Sequence, residues 1–136
     1  MQHTIHGVTF SVRYEDIVQV PDDVIVVPTT PALSMTAGIA RKVRDSGAAD
    51  AEKHALKHAP AQLGDIVVTS AGQLCARFIF HCVMINEHNN GEPDALRTGI
   101  KKMIAKAQEL GVTTCAIPAL GASFPPLTPK TSTQII

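Results

Sequence analysis

Four consecutive apolar residues, Val24 to Val27, constrain the fold of this chain more than any other stretch. An uninterrupted run of this kind is typical of a strand buried on both faces, because a strand with one solvated face alternates apolar and polar residues. Pro28 and Pro31 mark its end. The run therefore predicts a strand in the interior of a sheet.

The rest of the chain alternates between strand patterns and helix patterns. Further strands are predicted at 9–14, 65–69, 78–84 and 114–118; those at 65–69 and 78–84 are expected to be buried, and the last is apolar. Helices are predicted at 38–46, 50–58 and 93–110; Pro93 opens the last helix and Gly111 closes it. The last helix has one apolar stripe, formed by Leu96, Ile100, Met103, Ile104, Ala107 and Leu110. This alternation predicts an α/β domain with a largely parallel sheet.

Composition narrows the functional classes. The 136 residues suit a single domain, 1–136, in which the tail 126–136 has no clear pattern. Twelve basic and twelve acidic side chains cancel, so no nucleic-acid footprint is visible. The sequence has no apolar run of about 18 residues, the length that would predict a membrane span. Three cysteines without metal-ligand spacing indicate reduced thiols in a cytoplasm, and no metal or cofactor is predicted.

A binding cleft is expected where the parallel strands end. The loop after VIVV, the end of FIFHCVM and the loop after CAIPAL converge on that edge. Small residues, Thr36 to Gly38, stand where a strand gives way to a helix. Two explanations stay open: close packing of the chain on itself, or a ligand's phosphates approaching the helix N-terminus.

Four stretches together resemble a known family. RYEDIVQVPDDVIVVPTT, SMTAGIARKV, LGDIVVTSAGQLCARFIFHCV and AIPALGASF follow one another in the order and at distances similar to those of the macro domain, a family of ADP-ribose-binding modules. The resemblance runs from about Val12 to Pro126. It implies a three-layer α/β/α fold with a mostly parallel mixed sheet.

The resemblance also implies roles for individual residues. Asp16 would accept a hydrogen bond from the adenine amino group, and the backbone of Ile17 would help to hold the base. The alternative for Asp16 is a turn aspartate that satisfies nearby backbone N–H groups. The first diphosphate loop would be Thr36, Ala37, Gly38 and Ile39. The second would be Gly121, Ala122, Ser123 and Phe124, although an aromatic at a core edge often only packs. The buried His81 is interpreted as structural.

Several positions depart from the family pattern. Hydrolytic macro domains usually carry asparagines after the third strand, where this chain has Val27 to Thr30, and only Thr30 offers a hydroxyl to a ribose. Ala40 stands where some hydrolases have an acid. These absences favour binding without catalysis. In the second loop Ser123 and Pro125 replace usual glycines, and proline has no N–H to donate.

The family's last helix and strand are not visible in this sequence. We expect the vacant strand position to be filled by the tail TSTQII, by a second copy of the chain in a homodimer, or by a rearranged N-terminal hairpin. Three functional hypotheses result: an ADP-ribose-binding module, a hydrolase of an ADP-ribose derivative, or a degenerate scaffold that acts as an oligomeric interaction module.

Two other patterns are weaker candidates for a metal site and a reactive thiol. His54 and His58 share a helix face but lack a third ligand, and Cys75 lacks a histidine partner.

Overall fold

Strands and helices alternate along the chain in the computed structural model, which describes residues 2–5, 8–11 and 15–118. Two short strands, β1 (Gln2–Ile5) and β2 (Val8–Ser11), come first. The elements that follow are β3 (Val24–Thr29), α1 (Gly38–Asp45), α2 (Ala49–Leu56), β4 (Ile66–Ser70), β5 (Phe78–Val83), α3 (Pro93–Leu110) and β6 (Cys115–Ala116).

The main sheet has the order β4-β5-β3-β6. β3 pairs in parallel with β5, from Val24 opposite Phe78 to Thr29 opposite Val83, and in parallel with β6. β4 runs antiparallel to β5. β1 and β2 form a separate antiparallel pair. The prediction of a mixed, mostly parallel sheet is confirmed.

Helices cover the sheet on both faces. Ile25, Val27 and Ile79 point to the side of α1 and α2, in one cluster with Ala40 and Val43 of α1. On the other face Val24, Val26 and Phe80 pack in a cluster with Leu96 and Met103 of α3. All four residues of the run 24–27 are 0% exposed. The strand is thus buried on both faces, and the predicted three-layer α/β/α fold is confirmed.

Three predicted details were wrong. β4 is half-buried at Ile66 to Val68 rather than fully buried, because it is an outer strand of this sheet. β6 pairs over two residues only, not over 114–118. Ile104 is 55% exposed although it was placed in the apolar stripe of α3. At about 100° per residue it lies roughly 80° around the helix from Leu96, beside the sheet rather than above it.

The ends of α3 follow the sequence signals. Pro93 occupies the first turn, where its missing N–H costs no helical hydrogen bond. Gly111 adopts φ 69° at the C-terminal end, a conformation that favours glycine.

Within the described ranges, no helix is long and apolar enough to cross a membrane.

Candidate functional site

A cleft of about 230 Å³ opens at the carboxyl ends of β3 and β5. One wall is the end of β3 with the following loop, the second is the start of α1, and the third is the segment after β5. Its lining residues are Pro28, Thr29, Thr30, Ser34, Thr36, Ala37, Gly38, Ile39, Ala40, Ile85 and Asn89. The structure therefore brings together five of the sequence-predicted site residues: Thr30, Thr36, Ala37, Gly38 and Ile39.

The first turn of α1 is open to this cleft. Ala37 is extended, with φ −147° and ψ 157°, and the first helical hydrogen bond runs from the Arg41 N–H to the Ala37 carbonyl at 3.3 Å. None of the described side chains caps this end, and no acidic residue lies in the first turn. The N–H groups of a helix's first turn have no acceptor within the helix. They leave a partial positive charge facing the cleft.

Gly38 distinguishes the two explanations for the small residues. A Cβ built on Gly38 would meet no atom of the described residues within 4 Å, so close packing against them does not require glycine here. Its φ of +60° favours glycine, because side-chain-bearing residues rarely adopt that conformation. None of the residues that the structure describes fills the space beside Gly38, as the phosphate explanation expects.

Contacts with α2 and β3 hold the loop that leads into α1. The Met35 N–H donates to the Glu52 carboxylate of α2 at 2.5 Å, and Glu52 also lies 3.6 Å from the Arg44 guanidinium of α1. Leu33 has φ 59° and is 0% exposed. The Thr29 hydroxyl also donates into this loop, to a backbone carbonyl 3.3 Å away. Sequence reasoning missed Glu52, because its partner is a backbone group that carries no sequence signal.

The polar side chains among the described lining residues of the cleft are uncharged. Thr30, Ser34 and Thr36 bring hydroxyls and Asn89 brings an amide, and no charged side chain lines the cleft among the residues that the structure describes. An anion bound there would be held by backbone N–H groups and neutral donors. The described part of the lining offers no carboxylate, histidine or lysine for proton transfer.

Asp16 lies beside α1 and does not line the cleft. Its carboxylate accepts hydrogen bonds from the Lys42 ammonium at 2.9 Å and from the Val18 N–H at 3.2 Å. The Lys42 hydrogen bond, followed by that of Val18, lowers the pKa of Asp16. The contact with Val18 is that of a turn aspartate, while the side chain stays 35% exposed. Ile17 is half-buried against the core. The adenine role of both residues stays a prediction.

The buried titratable residues His81 and Cys82 do not line the cleft. His81 accepts or donates one hydrogen bond, between Nε2 and the Thr69 hydroxyl at 2.9 Å, and burial lowers its pKa to about 4. Burial raises the pKa of Cys82 to about 12. Across the described ranges no three His, Cys, Asp or Glu side chains cluster to hold a metal ion. The predicted second loop, Gly121 to Phe124, with Pro125 and the tail 126–136, lies outside the described residues.

Comparison with known proteins decides the family. The model of the macro domain family matches residues 26–136. The chain belongs to the macro domain family. An uncharacterized protein of Pyrobaculum aerophilum is 31% identical over 129 residues, which are 91% of this chain and 70% of that protein.

Solved macro domains share the fold. The macrodomain of Mycobacterium tuberculosis DarG superimposes with a TM-score of 0.81 at 17% identity, covering 90% of this chain and 83% of that one. An Oceanobacillus iheyensis macrodomain with ADP gives a TM-score of 0.78 at 20% identity, covering 90% of this chain and 69% of that one. At these identities the likeness shows that the macro domain fold is shared.

Proposed function

We propose that this macro domain binds ADP-ribose, or a related adenine nucleotide diphosphate, with the diphosphate at the N-terminus of α1. The observation that carries the proposal is the first turn of α1, which no described side chain caps and which, among the described residues, has nothing packed against Gly38. Backbone N–H groups and the helix dipole attract an anion there without any basic side chain. The O. iheyensis macrodomain with ADP lends support from a protein of the same fold.

The size and polarity of the cleft agree with this ligand. A volume of about 230 Å³ is below the range of roughly 300–1,000 Å³ for a complete small-molecule site. It suits the diphosphate with one sugar, while the adenine extends along α1 toward Asp16. Thr30 and Thr36 line the cleft, and their hydroxyls would donate to phosphate or ribose oxygens. Gly121 to Phe124 remain the proposed cover of the diphosphate.

Binding is favoured over hydrolysis by the absence of proton-transferring groups in the described lining. Val27 is 0% exposed and Ala40 is 3% exposed, so neither position offers a group to the ligand. The hydrolase alternative would need a base from elsewhere. The open cleft likewise favours binding over the scaffold alternative. A homodimer and a cytoplasmic location remain predictions.

A matched pair of glycines tests the proposal. Gly38 and Gly111 have φ of +60° and +69°, and a Cβ on either meets no described atom within 4 Å. Gly38→Ala and Gly111→Ala should therefore cost similar stability, roughly 1–2 kcal/mol each, because both force alanine into the left-handed region. Only Gly38→Ala places a methyl group in the cleft.

Calorimetric titration with ADP-ribose separates the two variants. We expect Gly38→Ala to weaken binding by about tenfold or more, because hydrogen bonds to a charged group contribute roughly 1.5–3 kcal/mol. Gly111→Ala should bind as the unaltered protein does. Equal affinities for all three proteins would place the diphosphate elsewhere.

A further inference from the structure

Glu52 lies outside the cleft and connects α2 to the chain at both ends of α1. Its carboxylate accepts a hydrogen bond from the Met35 N–H at 2.5 Å, three residues before α1 begins at Gly38. The same carboxylate oxygen lies 3.6 Å from the guanidinium of Arg44, in the last turn of α1. A single side chain of α2 therefore fixes both the approach to α1 and its far end.

The loop between β3 and α1 has a conformation that its own sequence does not favour. Leu33 has φ 59°, which residues with a side chain rarely adopt. Its side chain is 0% exposed and packs in one cluster with Ala55 of α2 and Val83 of β5. A residue in such a conformation persists only where the surrounding structure holds it. The contacts around this loop therefore determine its shape.

The other contacts of the loop end before Met35. The Ala61 N–H donates to the Pro31 carbonyl at 2.9 Å, and the Thr29 hydroxyl donates to the Ser34 carbonyl at 3.3 Å. In the part of the chain that the structure describes, the carboxylate of α2 makes the only hydrogen bond that joins residues 35–37 to a helix or strand other than α1. Its acceptor is a carboxylate, and hydrogen bonds to ionised groups are stronger than neutral ones.

The residues that follow Met35 lead directly into the turn that faces the cleft. Thr36 to Gly38 line the cleft, and the N–H groups of a helix's first turn reach an anion only where the turn is correctly placed. A loop that is already ordered spares a ligand the entropic cost of ordering it. We propose that Glu52 is a positioning residue, which acts through Met35 to set the loop and the start of α1 before a ligand arrives. Its effect on affinity rests on the proposed function of the cleft, whereas its effect on the loop does not.

Two variants of Glu52 and one matched control test this role. Glu52→Ala removes the acceptor of the Met35 N–H, whereas Glu52→Gln keeps an acceptor oxygen and removes the charge that attracts Arg44. Asp50→Ala is the control, because Asp50 is the other acidic residue in the first turn of α2 and its exposed side chain lies 3.9 Å from Lys53 of the same helix. The control reproduces the loss of an acid at the N-terminus of α2 without removing a described contact of the loop.

Amide hydrogen exchange of the ligand-free protein, followed by NMR, measures the order of the loop. We expect Glu52→Ala to speed exchange at Met35 by about tenfold or more, because the N–H loses a charged acceptor. Phe80 is the reference, since it lies in the middle of β5 between two paired strands, and it should change much less. Glu52→Gln should keep most of the protection at Met35, and Asp50→Ala should keep all of it.

Two results of this experiment would overturn the positioning role. Unchanged exchange at Met35 in Glu52→Ala would mean that the loop holds itself. Equal acceleration at Met35 and Phe80 would mean that Glu52 supports the fold as a whole rather than the loop.

Calorimetric titration with ADP-ribose measures the consequence for the cleft. Apparent affinity falls with the fraction of molecules that keep the binding conformation, so we expect a loss of about five- to tenfold in Glu52→Ala. The loss should be smaller in Glu52→Gln and absent in Asp50→Ala. Unimpaired binding by Glu52→Ala would overturn the inference and leave the proposed function standing. Failure of the unaltered protein to bind would overturn the proposed function, and exchange at Met35 would still decide whether Glu52 sets the loop.

Discussion

Replacing Gly99 by alanine tests how closely α3 packs on the sheet that positions the cleft. Gly99 lies in the middle of α3, on the side facing β5. A Cβ at this position would lie 2.7 Å from the Cys82 Sγ and 3.7 Å from the Ile66 Cδ1. Heavy atoms prefer about 3.5–4.0 Å, so the methyl group overlaps the sulfur by about 1 Å. Cys82 is 0% exposed and has a single side-chain rotation, which leaves the sulfur little room to move away.

Two opposing effects set the size of the loss. Overpacking of a core costs typically about 1–3 kcal/mol. Alanine in a helix interior recovers roughly 0.5–1 kcal/mol over glycine, because it restricts the unfolded chain. We therefore expect Gly99→Ala to lower the free energy of unfolding by about 1–2 kcal/mol, although an alanine in an open helix would raise it.

Urea unfolding followed by circular dichroism measures this change, with an unaltered slope confirming that stability alone has moved. Cys82→Ala is the matched rescue, because it removes the sulfur that the new methyl group meets. The double variant should be more stable than the sum of the single losses by about 1 kcal/mol or more. A stabilised Gly99→Ala, or strictly additive losses, would refute the predicted contact.

Two further predictions concern titratable residues. Asp16→Ala should weaken ADP-ribose binding in calorimetry while Lys42→Ala does not; equal losses in both would mean that Asp16 only tethers Lys42 to its turn. The folded-state pKa of His81, about 4, lies below its ordinary 6.5. Between these two pH values the imidazole is protonated in the unfolded chain but neutral in the folded chain. Stability contributed by neutral His81 should be complete above pH 6.5 and fall by up to about 3 kcal/mol as pH drops to 4. Urea unfolding across that range should show a shallower fall for His81→Gln; parallel curves would contradict the burial effect.

The parts of the fold that the sequence predicted have local causes. The apolar side chains of Val24 to Val27 alternate between the two faces of the strand, so all four are buried only if a layer covers each face. The structure buries all four. Pro93 and Gly111 act through their own backbone geometry, so the ends of α3 were predictable from single residues. The antiparallel direction of β4 was not, because strand direction depends on the route of the connecting chain rather than on side-chain pattern. Ile104 was misplaced because residues at the edge of a helical stripe are buried only if the neighbouring layer is wide enough.

The same distinction holds for the cleft. The small residues 36–38 were visible in sequence because the start of a helix after a buried strand is a local pattern. Glu52 was not, since it acts on a backbone N–H 17 residues away. Asn89 was interpreted only as part of a turn signal. Its place in the cleft depends on the end of β5 meeting the start of α1, which is a tertiary fact.

The most direct test of the central claim is an NMR titration of the ¹⁵N-labelled protein with ADP-ribose. Binding of the diphosphate at the start of α1 predicts the largest amide shifts at Gly38 and Ile39, with further shifts at Thr30 and Asn89. Gly111, at the far end of α3, serves as an internal reference and should not move. Saturable shifts confined to other surfaces, or no shifts at Gly38 and Ile39 at millimolar ADP-ribose, would contradict the account.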